Sequence, residues 1–334
     1  MKYGIILPVR NGGHYIKECV ASILSQSYKK FNFIILDNCS TDGTLEWLKS
    51  IDDERIKVIP SEKSLSIEDN WSRIIQIEKN EFITLIGHDD ILHPDFLETM
   101  DGLIESYPYA SLFHSHYNFI DDAGKIIRPC KPMKQSYNGS EFLDAFLTSS
   151  IDSMGTGYMM RSADYDAIGG IQSKYPNLLF ADFELWTSLA AKKNVVISPN
   201  NCFAFRVHKS TTHSSSDYKI HKALHIFVEY LAKLKSSDKN MENVIQHHGS
   251  QFLLTYCAAY AHRLMRQSLK NRNGIKVDDF IKETKVMAKK LGVDSDYMPE
   301  KKSSLQLAKR IDNSKFLSFL FLLFKRMYAK PILK

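Results

Sequence analysis

Acidic side chains follow short apolar segments at two places in the first 90 residues. Asp37 directly follows one apolar run, and Asp89 and Asp90 follow another that ends at Ile86. Carboxylates suit hard divalent cations such as Mg²⁺ and Mn²⁺, whose other ligands are commonly phosphate oxygens and water. Asp89 and Asp90 could therefore hold a cation against a diphosphate. Alternatively, Asp90 caps the following helix, and the pair alone gives these two interpretations equal weight.

Asp37 could accept a hydrogen bond from the N–H edge of a nucleobase. The competing interpretation is a turn in which its side chain opens the next helix. Ser40, Thr41 and Asp42 already provide capping side chains there, and this surplus favours a functional role for Asp37.

The first apolar strand leads into the segment Pro8-Val9-Arg10-Asn11-Gly12-Gly13. This segment is neither Gly-x-Gly-x-x-Gly nor Gly-x-x-x-x-Gly-Lys, so the usual backbone cradles for phosphate are missing. A bound diphosphate would have to be neutralised in another way, and the cation predicted above could do so.

Two further carboxylates, Asp182 and Glu184, lie in an aromatic segment that continues as a predicted helix to Ala191. Apolar neighbours raise the pKa of a carboxyl group and can make it a general base. The alternative is a pair of acids that interact with the dipole at a helix N-terminus. His208 follows a short predicted strand, residues 202–205, and is either a metal or phosphate ligand or a surface or packing residue.

Apolar strands and amphipathic helices alternate in the first half of the chain, which predicts βαβ units and a parallel sheet covered by helices on both faces. The predicted strands are residues 3–7, 31–36, 56–59 and 82–86, and the predicted helices are residues 14–26, 44–51 and 95–106, the last announced by Pro94 in its first turn. Ligands of such sheets bind beyond the carboxyl ends of the strands. Residues 125–138 are predicted to be a loop. Long amphipathic helices begin after Ser214, and the domain boundary is placed near residue 215.

The composition is that of a folded protein with one large domain and an appendage, since 44% of the 334 residues are apolar and 25% are charged. The five cysteines are scattered and form no Cys-x-x-Cys pair, which predicts a reducing compartment and no structural zinc. Neither a secretory signal nor a run of ~20 apolar residues is present, so the chain is expected in the cytoplasm.

The basic charge belongs to the C-terminal third. Residues 1–220 carry 22 Lys and Arg against 28 Asp and Glu, whereas residues 221–334 carry 22 against 10. An apolar run, residues 316–324, precedes Lys325 and Arg326, which fits a peripheral helix on anionic lipid at the inner face of the plasma membrane. The alternative is a helix packed on the rest of the chain or in a homodimer interface. No recognised nucleic-acid-binding module accompanies the charge, so no nucleic acid partner is expected.

Taken in order, these segments resemble the family-2 glycosyltransferases of the GT-A fold over about residues 3–215. The matching segments are Ile-Leu-Pro8-Val-Arg-Asn11, Ile-Leu-Asp37-Asn-Cys-Ser-Thr-Asp42-Gly-Thr, Asn70-Trp71-Ser72, His88-Asp89-Asp90, Gly155-Thr-Gly157 with Gly169-Gly170, Ala181-Asp182-Phe-Glu184-Leu-Trp and Arg206-Val-His208. Each segment is a weak signal alone, but chance matches would not keep this order and spacing. The resemblance implies an α/β, Rossmann-like, mostly parallel sheet flanked by helices in residues 1–215. Donor binding would occupy roughly residues 1–125 and the acceptor side roughly 126–215, with an all-helical region in 216–334.

The resemblance also implies roles for the residues singled out above. Pro8, Val9, Arg10 and Asn11 would line the base and ribose pocket, and Asp37 would bind a uracil-type N–H, which favours a UDP or dTDP donor. Gly87, His88 and Asp89 would continue the donor site, with Asp89, Asp90 and His208 as candidate ligands of Mn²⁺ or Mg²⁺. Asp182 would be the catalytic base, with Glu184 as its rival. The sequence departs from the family pattern at Gly87, Arg10 and Ala181, which stand where an Asp, an aromatic residue and a Glu are usual.

The implied activity is an inverting transfer of sugar to a hydroxyl of a glycan or lipid-linked acceptor, in bacterial cell-surface polysaccharide synthesis. One alternative is a non-catalytic binding or scaffold protein, in which Gly87 and Ala181 mark lost activity. Another is a nucleotidyltransferase that makes sugar nucleotides, against which the short loop after the first strand argues.

Overall fold

The structure, a computed structural model, describes residues 1–152, 154–207, 217–270, 272 and 274–327. The chain divides into two compact units, Met1–Ser215 and Ser216–Lys334, termed here the α/β unit and the helical unit. The acidic residues predicted to form the site, Asp37, Asp89, Asp90 and Asp182, all belong to the α/β unit.

A ten-stranded mixed sheet forms the centre of the α/β unit. The strands are β1 (Tyr3–Val9), β2 (Phe31–Asp37), β3 (Ile56–Val58), β4 (Phe82–Leu85), β5 (Ile91–Leu92), β6 (Leu112–Ile120), β7 (Ile126–Pro129), β8 (Ser136–Tyr137), β9 (Met159–Arg161) and β10 (Val195–Arg206). Their spatial order is β3-β2-β1-β4-β9-β6-β10-β5, with β7 paired to β6 and β8 to β10. Because β9 is antiparallel to both β4 and β6, and β10 is parallel to β6, the strands β1, β2, β3, β4, β6 and β10 all point the same way. Their carboxyl ends therefore meet at one edge of the sheet.

The first four strands are parallel, as the sequence predicts, and each begins and ends within two residues of its predicted bounds. All seven residues of β1 are buried, which is expected for a strand covered on both faces. β1 continues through Pro8 and Val9, two residues beyond the prediction. Pro8 has no N–H to donate, and it is tolerated because β4 pairs with β1 only as far as Ile6.

The main differences between the predicted and the observed strands lie in the other half of the sheet. Residues 125–138, predicted to be a loop, contain β7 and β8, whose pairing partners β6 and β10 supply a stabilisation that local composition does not reveal. β10 begins at Val195 rather than at residue 202. The exposed residues 199–201, Pro-Asn-Asn, interrupt its apolar pattern where its register with β6 shifts, so only its second half is recognisable from the sequence.

Helices flank the sheet and leave the site edge to the loops. They are α1 (Tyr15–Leu24), α2 (Thr44–Lys49), α3 (Ile67–Ser72), α4 (Phe96–Ser106), α5 (Gly139–Leu147), α6 (Ser162–Ala167) and α7 (Ala181–Lys192). α1 buries Ile16, Cys19, Val20 and Ile23, the helical spacing that packs one apolar face on a sheet. α4 begins at Phe96, so Pro94 precedes the helix instead of lying in its first turn.

The helical unit contains α8 (Asp217–Ser237), α9 (Lys239–Met265), α10 (Val277–Leu291), α11 (Ser303–Asn313) and α12 (Lys315–Met327). The sequence indicates an apolar stripe on α8, of which Leu224, Phe227, Val228 and Leu231 are fully buried and Leu234 is only partly buried. In contrast, α12 has no buried residue. No helix in the described ranges is both long enough and apolar enough to cross a membrane.

Candidate active site

Asp37 is the last residue of β2 and is fully buried. Its Oδ2 accepts a hydrogen bond from the Ser40 amide (3.2 Å), but its Oδ1 is buried without a hydrogen-bond partner among the described residues. The Arg73 guanidinium donates to the Asp37 backbone carbonyl (3.0 Å) and so holds the strand end in place. A buried polar atom left unsatisfied costs about 1–3 kcal/mol. Oδ1 is therefore well suited to accept a hydrogen bond from a ligand.

The loop after β1 is hydrogen-bonded to the loop after β2. Asn11, at a left-handed φ of 54°, accepts a hydrogen bond at Oδ1 from the Thr41 amide (2.8 Å). Three amides of the first loop donate to side chains of the second: Asn11 to Ser40 Oγ (2.9 Å), Gly12 to Thr44 Oγ1 (3.0 Å) and Gly13 to Asp42 Oδ2 (3.1 Å). These amides already donate to protein side chains and so do not form a phosphate cradle, as expected from the absence of either glycine-rich motif.

The residues predicted to line the base and ribose pocket differ in their surroundings. Pro8 and Val9 are buried within β1, where Val9 pairs with Asp37. Arg10 is exposed directly after the strand. The strand, rather than a loop, therefore sets the backbone beside Asp37, and Arg10 is the first of these residues whose side chain reaches solvent.

The acidic pair follows β4, with Asp89 half-buried and Asp90 buried. Asp90 accepts hydrogen bonds from Thr156 Oγ1 at Oδ2 (2.5 Å) and from the Arg206 amide at Oδ1 (3.1 Å). Burial, and then the charge of Asp89, raise the pKa of the Asp90 carboxyl well above its usual range. The charged form of Asp90 is therefore disfavoured, and a cation beside the pair would stabilise it.

Gly87 leaves the space that these carboxylates occupy. A Cβ atom at this position would lie 2.7 Å from Asp89 Oδ1 and 3.2 Å from Asp90 Oδ2. A side chain here would thus require the carboxylates to move. Gly87, which stands where the family usually has an Asp, therefore allows Asp89 and Asp90 to approach the backbone closely.

Arg206, at the end of β10, is buried beside the acidic pair. Its Nε donates to the Asp89 carbonyl (2.8 Å), Nη1 donates to the Asp121 carbonyl (2.9 Å) and Nη2 forms an ion pair with Glu18 (2.5 Å). The guanidinium also lies over the Tyr15 ring at 4.8 Å. One side chain therefore ties α1 and the turn after β6 to the backbone of the acidic pair.

Asp182 lies in the first turn of α7, next to the segment that contacts Asp90. A Cβ atom on Gly155 would lie 3.6 Å from Asp182 Oδ2, and the next residue, Thr156, donates to Asp90. Asp182 and Asp90 thus lie beside two consecutive residues, Gly155 and Thr156. Burial raises the pKa of Asp182 to about 6, although the Phe183 amide donates to its Oδ1 (3.0 Å) and opposes the shift.

The backbone before α7 is strained. Asn177, Leu178 and Phe180 have positive φ angles of 55°, 55° and 69°, a conformation that costs L-residues about 1–2 kcal/mol each. Strain of this kind concentrates at functional sites, where the surrounding structure has to enforce it. Here it sets the direction in which α7 and Asp182 leave the preceding loop.

Glu184 is engaged on both carboxylate oxygens. Oε1 accepts from Lys174 Nζ (2.8 Å), and Oε2 accepts from the Tyr175 hydroxyl. These contacts fasten α7 to the loop before it. Asp182 is therefore the stronger candidate for a general base.

The predicted carboxylates share one edge of the sheet. Asp37 and the acidic pair follow β2 and β4, which flank β1, so the two strand ends are about 10 Å apart. His88 is half-buried at the same edge. The remaining predicted metal ligand, His208, lies outside the described residues.

Three residues that hold this arrangement were not recognised from the sequence. Arg73 and Thr156 were not singled out, and Arg206 was treated only as part of a motif. Thr156 lies in the Gly155–Gly157 segment, which suggests a tight backbone but does not reveal that the threonine donates to Asp90. Their bonds to Asp37, Asp90 and Asp89 join residues 36, 66 and 117 apart along the chain, so no local pattern identifies them.

Comparison with known proteins identifies the family of the α/β unit. Residues 4–168 match the family model described as glycosyl transferase family 2. TuaG of Bacillus subtilis (strain 168), named a putative teichuronic acid biosynthesis glycosyltransferase, is 26% identical over 223 residues, which cover 65% of this chain and 83% of TuaG. The chain spans only 41% and 54% of the length of two other curated glycosyltransferases that it matches. The resemblance found in the sequence motifs is confirmed.

Solved glycosyltransferase structures share the fold. S. aureus TarS 1–349 in complex with UDP-GlcNAc has a TM-score of 0.63 at 16% identity, covering 98% of this chain and 92% of that chain. The mannosyltransferase PcManGT from Pyrobaculum calidifontis, in complex with GDP-Man and Mn²⁺, has a TM-score of 0.55 at 13% identity, covering 99% and 88%. The predicted GT-A fold is confirmed, with a sheet that is mixed beyond its first four strands.

Proposed function

We propose that this chain, which belongs to glycosyl transferase family 2, transfers a sugar from a UDP or dTDP sugar to a hydroxyl of a glycan or lipid-linked acceptor, with inversion at the anomeric carbon. The observation that carries the proposal is the buried, unpartnered Oδ1 of Asp37 at the sheet edge that also bears Asp89. Uracil and thymine both present a ring N–H that this oxygen can accept. The UDP-GlcNAc and UDP complexes of TarS support a donor of this class.

A divalent cation, Mn²⁺ or Mg²⁺, fits the acidic pair. Asp89 is the better candidate ligand, because its side chain is partly exposed whereas Asp90 is buried. Hard cations prefer such carboxylates, and an ion beside the pair would favour the ionised form of Asp90, whose pKa burial and the charge of Asp89 raise. When bound, the ion would stabilise the charge of the departing nucleoside diphosphate. The Mn²⁺ in the PcManGT complex supports this assignment.

Asp182 is proposed as the general base. The acceptor oxygen forms a bond to the anomeric carbon on the face opposite the diphosphate, the bond from that carbon to the diphosphate oxygen breaks, and Asp182 takes the hydroxyl proton. A carboxyl group with a pKa of about 6 is ionised at neutral pH and is a stronger base than an ordinary aspartate. Glu18 and Glu184 are both held in ion pairs, which leaves Asp182 for this role.

The exposed apolar face of α12 is proposed to rest on an anionic membrane and bring the enzyme to a lipid-linked acceptor. Phe316, Phe319 and Phe324 are 69%, 62% and 53% exposed, and Lys325 and Arg326 follow them as cations for anionic headgroups. Flotation with anionic liposomes should carry the full-length chain and leave behind a version that ends at Ser314. Equal flotation of the two would remove this part of the proposal, and a change in oligomeric state instead would indicate a homodimer interface.

The donor is tested by a thermal-shift panel of UDP, dTDP, GDP and CDP sugars with Mn²⁺ or with EDTA. A donor that binds the folded state raises the Tm, and we expect the largest increase with a UDP or dTDP sugar in Mn²⁺. The same mixtures are assayed for slow hydrolysis of the sugar nucleotide. Stabilisation by GDP or CDP sugars alone would refute the role of Asp37, and binding of a donor without hydrolysis or transfer would favour a scaffold. Because TuaG is named for teichuronic acid biosynthesis, precursors of cell-surface polysaccharides are the first acceptors to try.

A further inference from the structure

A cluster of metal-ligating side chains lies in the helical unit, outside the site described above. His221 and His225 are on α8, and Glu283 is on α10. One ligand atom from each of the three residues lies within 4.8 Å of the others. Residues four apart on a helix share one face, so the two imidazoles project toward the same neighbouring helix, which carries the carboxylate.

The separations are close to those of a metal site. His225 Nε2 lies 3.9 Å from a carboxylate oxygen of Glu283, and His221 Nε2 is in direct contact with the same oxygen. Zinc–nitrogen and zinc–oxygen bonds of about 2.0–2.2 Å in a tetrahedron require ligand atoms about 3.3 Å apart. Shifts of an ångström or so in side chains at the helix surface would bring all three atoms onto one ion.

The surroundings of the cluster resemble those of a binding site. The side chain of His221 is 19% exposed, and its Nδ1 is buried without a hydrogen-bond partner among the described residues. His221 and Glu283 also line a cavity of about 200 Å³ together with Tyr218, Tyr260 and Phe280. A cation held by the cluster would therefore border this cavity, whose lining is completed by Leu264 and Ile275.

We propose that His221, His225 and Glu283 bind one divalent transition-metal cation, with Zn²⁺ as the representative ion, and that the fourth coordination position opens on the adjoining cavity. Two imidazoles and a carboxylate suit zinc and related ions, whereas Mg²⁺ and Ca²⁺ prefer oxygen ligands alone. This site is thus chemically distinct from the acidic pair of the α/β unit. The ion would join α8 to α10 and add its binding free energy to the stability of the helical unit.

The test measures Zn²⁺ binding to the untagged, full-length chain after removal of metals with EDTA. Competition with a chromogenic chelator should show one tight equivalent, and Co²⁺ should give the visible absorption of a four-coordinate site. His225→Ala and Glu283→Ala should each weaken binding at least about tenfold, since loss of even an outer-shell partner costs about 10–100-fold. Both side chains are partly exposed (42% and 51%), so these variants should fold, which circular dichroism of the metal-free proteins verifies.

Two controls separate this site from others in the chain. His247→Ala removes an exposed histidine of α9, and Asp89→Ala removes the candidate cation ligand of the α/β unit. Both variants should keep wild-type affinity for Zn²⁺, and the same concentration of Zn²⁺ should raise the Tm of both by more than that of His225→Ala. Absence of tight binding by the wild type, or equal affinity in His225→Ala and Glu283→Ala, would show that the cluster is only a histidine–carboxylate ion pair. Neither result depends on sugar transfer.

Discussion

The buried acids at the sheet edge of the α/β unit differ from the buried ion pair of the helical unit in how their charge is balanced. In the α/β unit, Asp37 and Asp90 are buried at strand ends, one with an unpartnered oxygen and the other with a raised pKa. In the helical unit, the buried Arg272 forms an ion pair with Asp312, and the side chains of both are almost completely buried. The charge of Arg272 is neutralised by Asp312, although its Nε and Nη1 have no hydrogen-bond partner among the described residues, whereas Asp37 leaves an oxygen that a ligand can satisfy. Chemistry is therefore expected at the sheet edge.

The largest effect should come from Asp182→Asn, which keeps the size of the side chain and removes its ability to accept a proton. Loss of a general base typically costs about 10²–10⁴-fold in rate, and we expect the kcat for sugar transfer to fall by that factor. Asp52→Asn is the matched control, since Asp52 is an exposed acid of the same unit. Near-wild-type transfer by Asp182→Asn would show that the base is another residue.

Asp312→Ala should produce the largest loss of stability in the helical unit. The substitution leaves Arg272 buried without its partner and removes the acceptor of the Val277 amide (2.7 Å). Breaking one side of a buried ion pair costs about 3–5 kcal/mol, which urea unfolding followed by circular dichroism can measure. Glu229→Ala should change stability little, because its pair with Lys290 is about half exposed. An equal loss in the two variants would contradict the contrast drawn between buried and exposed pairs.

The sequence reveals the groups of the α/β unit better than their partners. Continuous apolar strands such as β1 and β2 predict a parallel sheet, and a parallel sheet brings the residues after each strand to one edge. Asp37 and Asp89 could therefore be assigned to one site before any contact was known. The contact of Thr156 with Asp90 and that of Arg206 with Glu18 could not, because chain segments 66 and 188 residues apart create them.

In the helical unit, the sequence shows the buried face of a helix but not the helix that packs against it. The apolar stripe of α8 is evident from its spacing, but the facing partner of a helix is not encoded in that spacing. His221, His225 and Glu283 consequently look like three ordinary surface residues until α8 and α10 are packed together. The same limit applies to β7 and β8, two short strands that form only because β6 and β10 offer them free edges.

Asp37→Asn should weaken donor binding while leaving the chemical step nearly intact. Asparagine can still accept from the Ser40 amide through its Oδ1 but loses the second carboxylate oxygen, which is the one without a partner. A hydrogen bond to a charged group contributes about 1.5–3 kcal/mol, so the KM for a UDP sugar should rise by about 10–100-fold with little change in kcat. A fall in kcat at unchanged KM would place Asp37 in the chemical step instead. Asp52→Asn, at an exposed acid of the same unit, serves as the control.

The smallest predicted effect concerns the stability cost of the proposed base. The folded-state pKa of Asp182 is raised from 3.8 to about 6, so the folded state holds this proton more tightly than the unfolded state does. Between these two pKa values the unfolded state ionises first, and wild-type stability falls as the pH rises through this window. Above pH 6 the loss is complete, and below pH 3.8 it is absent.

Asp182→Asn has no charge to bury and should therefore be more stable than the wild type at pH 7.5, but not at pH 3.5. Each pKa unit corresponds to about 1.4 kcal/mol, and the buried amide offsets part of the shift, so we expect a gain of about 1 kcal/mol at neutral pH. Thermal unfolding at the two pH values measures it. A variant that is inactive yet more stable only at neutral pH would indicate that Asp182 is kept for catalysis at a cost in stability, as expected for an acid whose pKa is raised by burial. Equal stability differences at both pH values would attribute the effect to packing and not to ionisation.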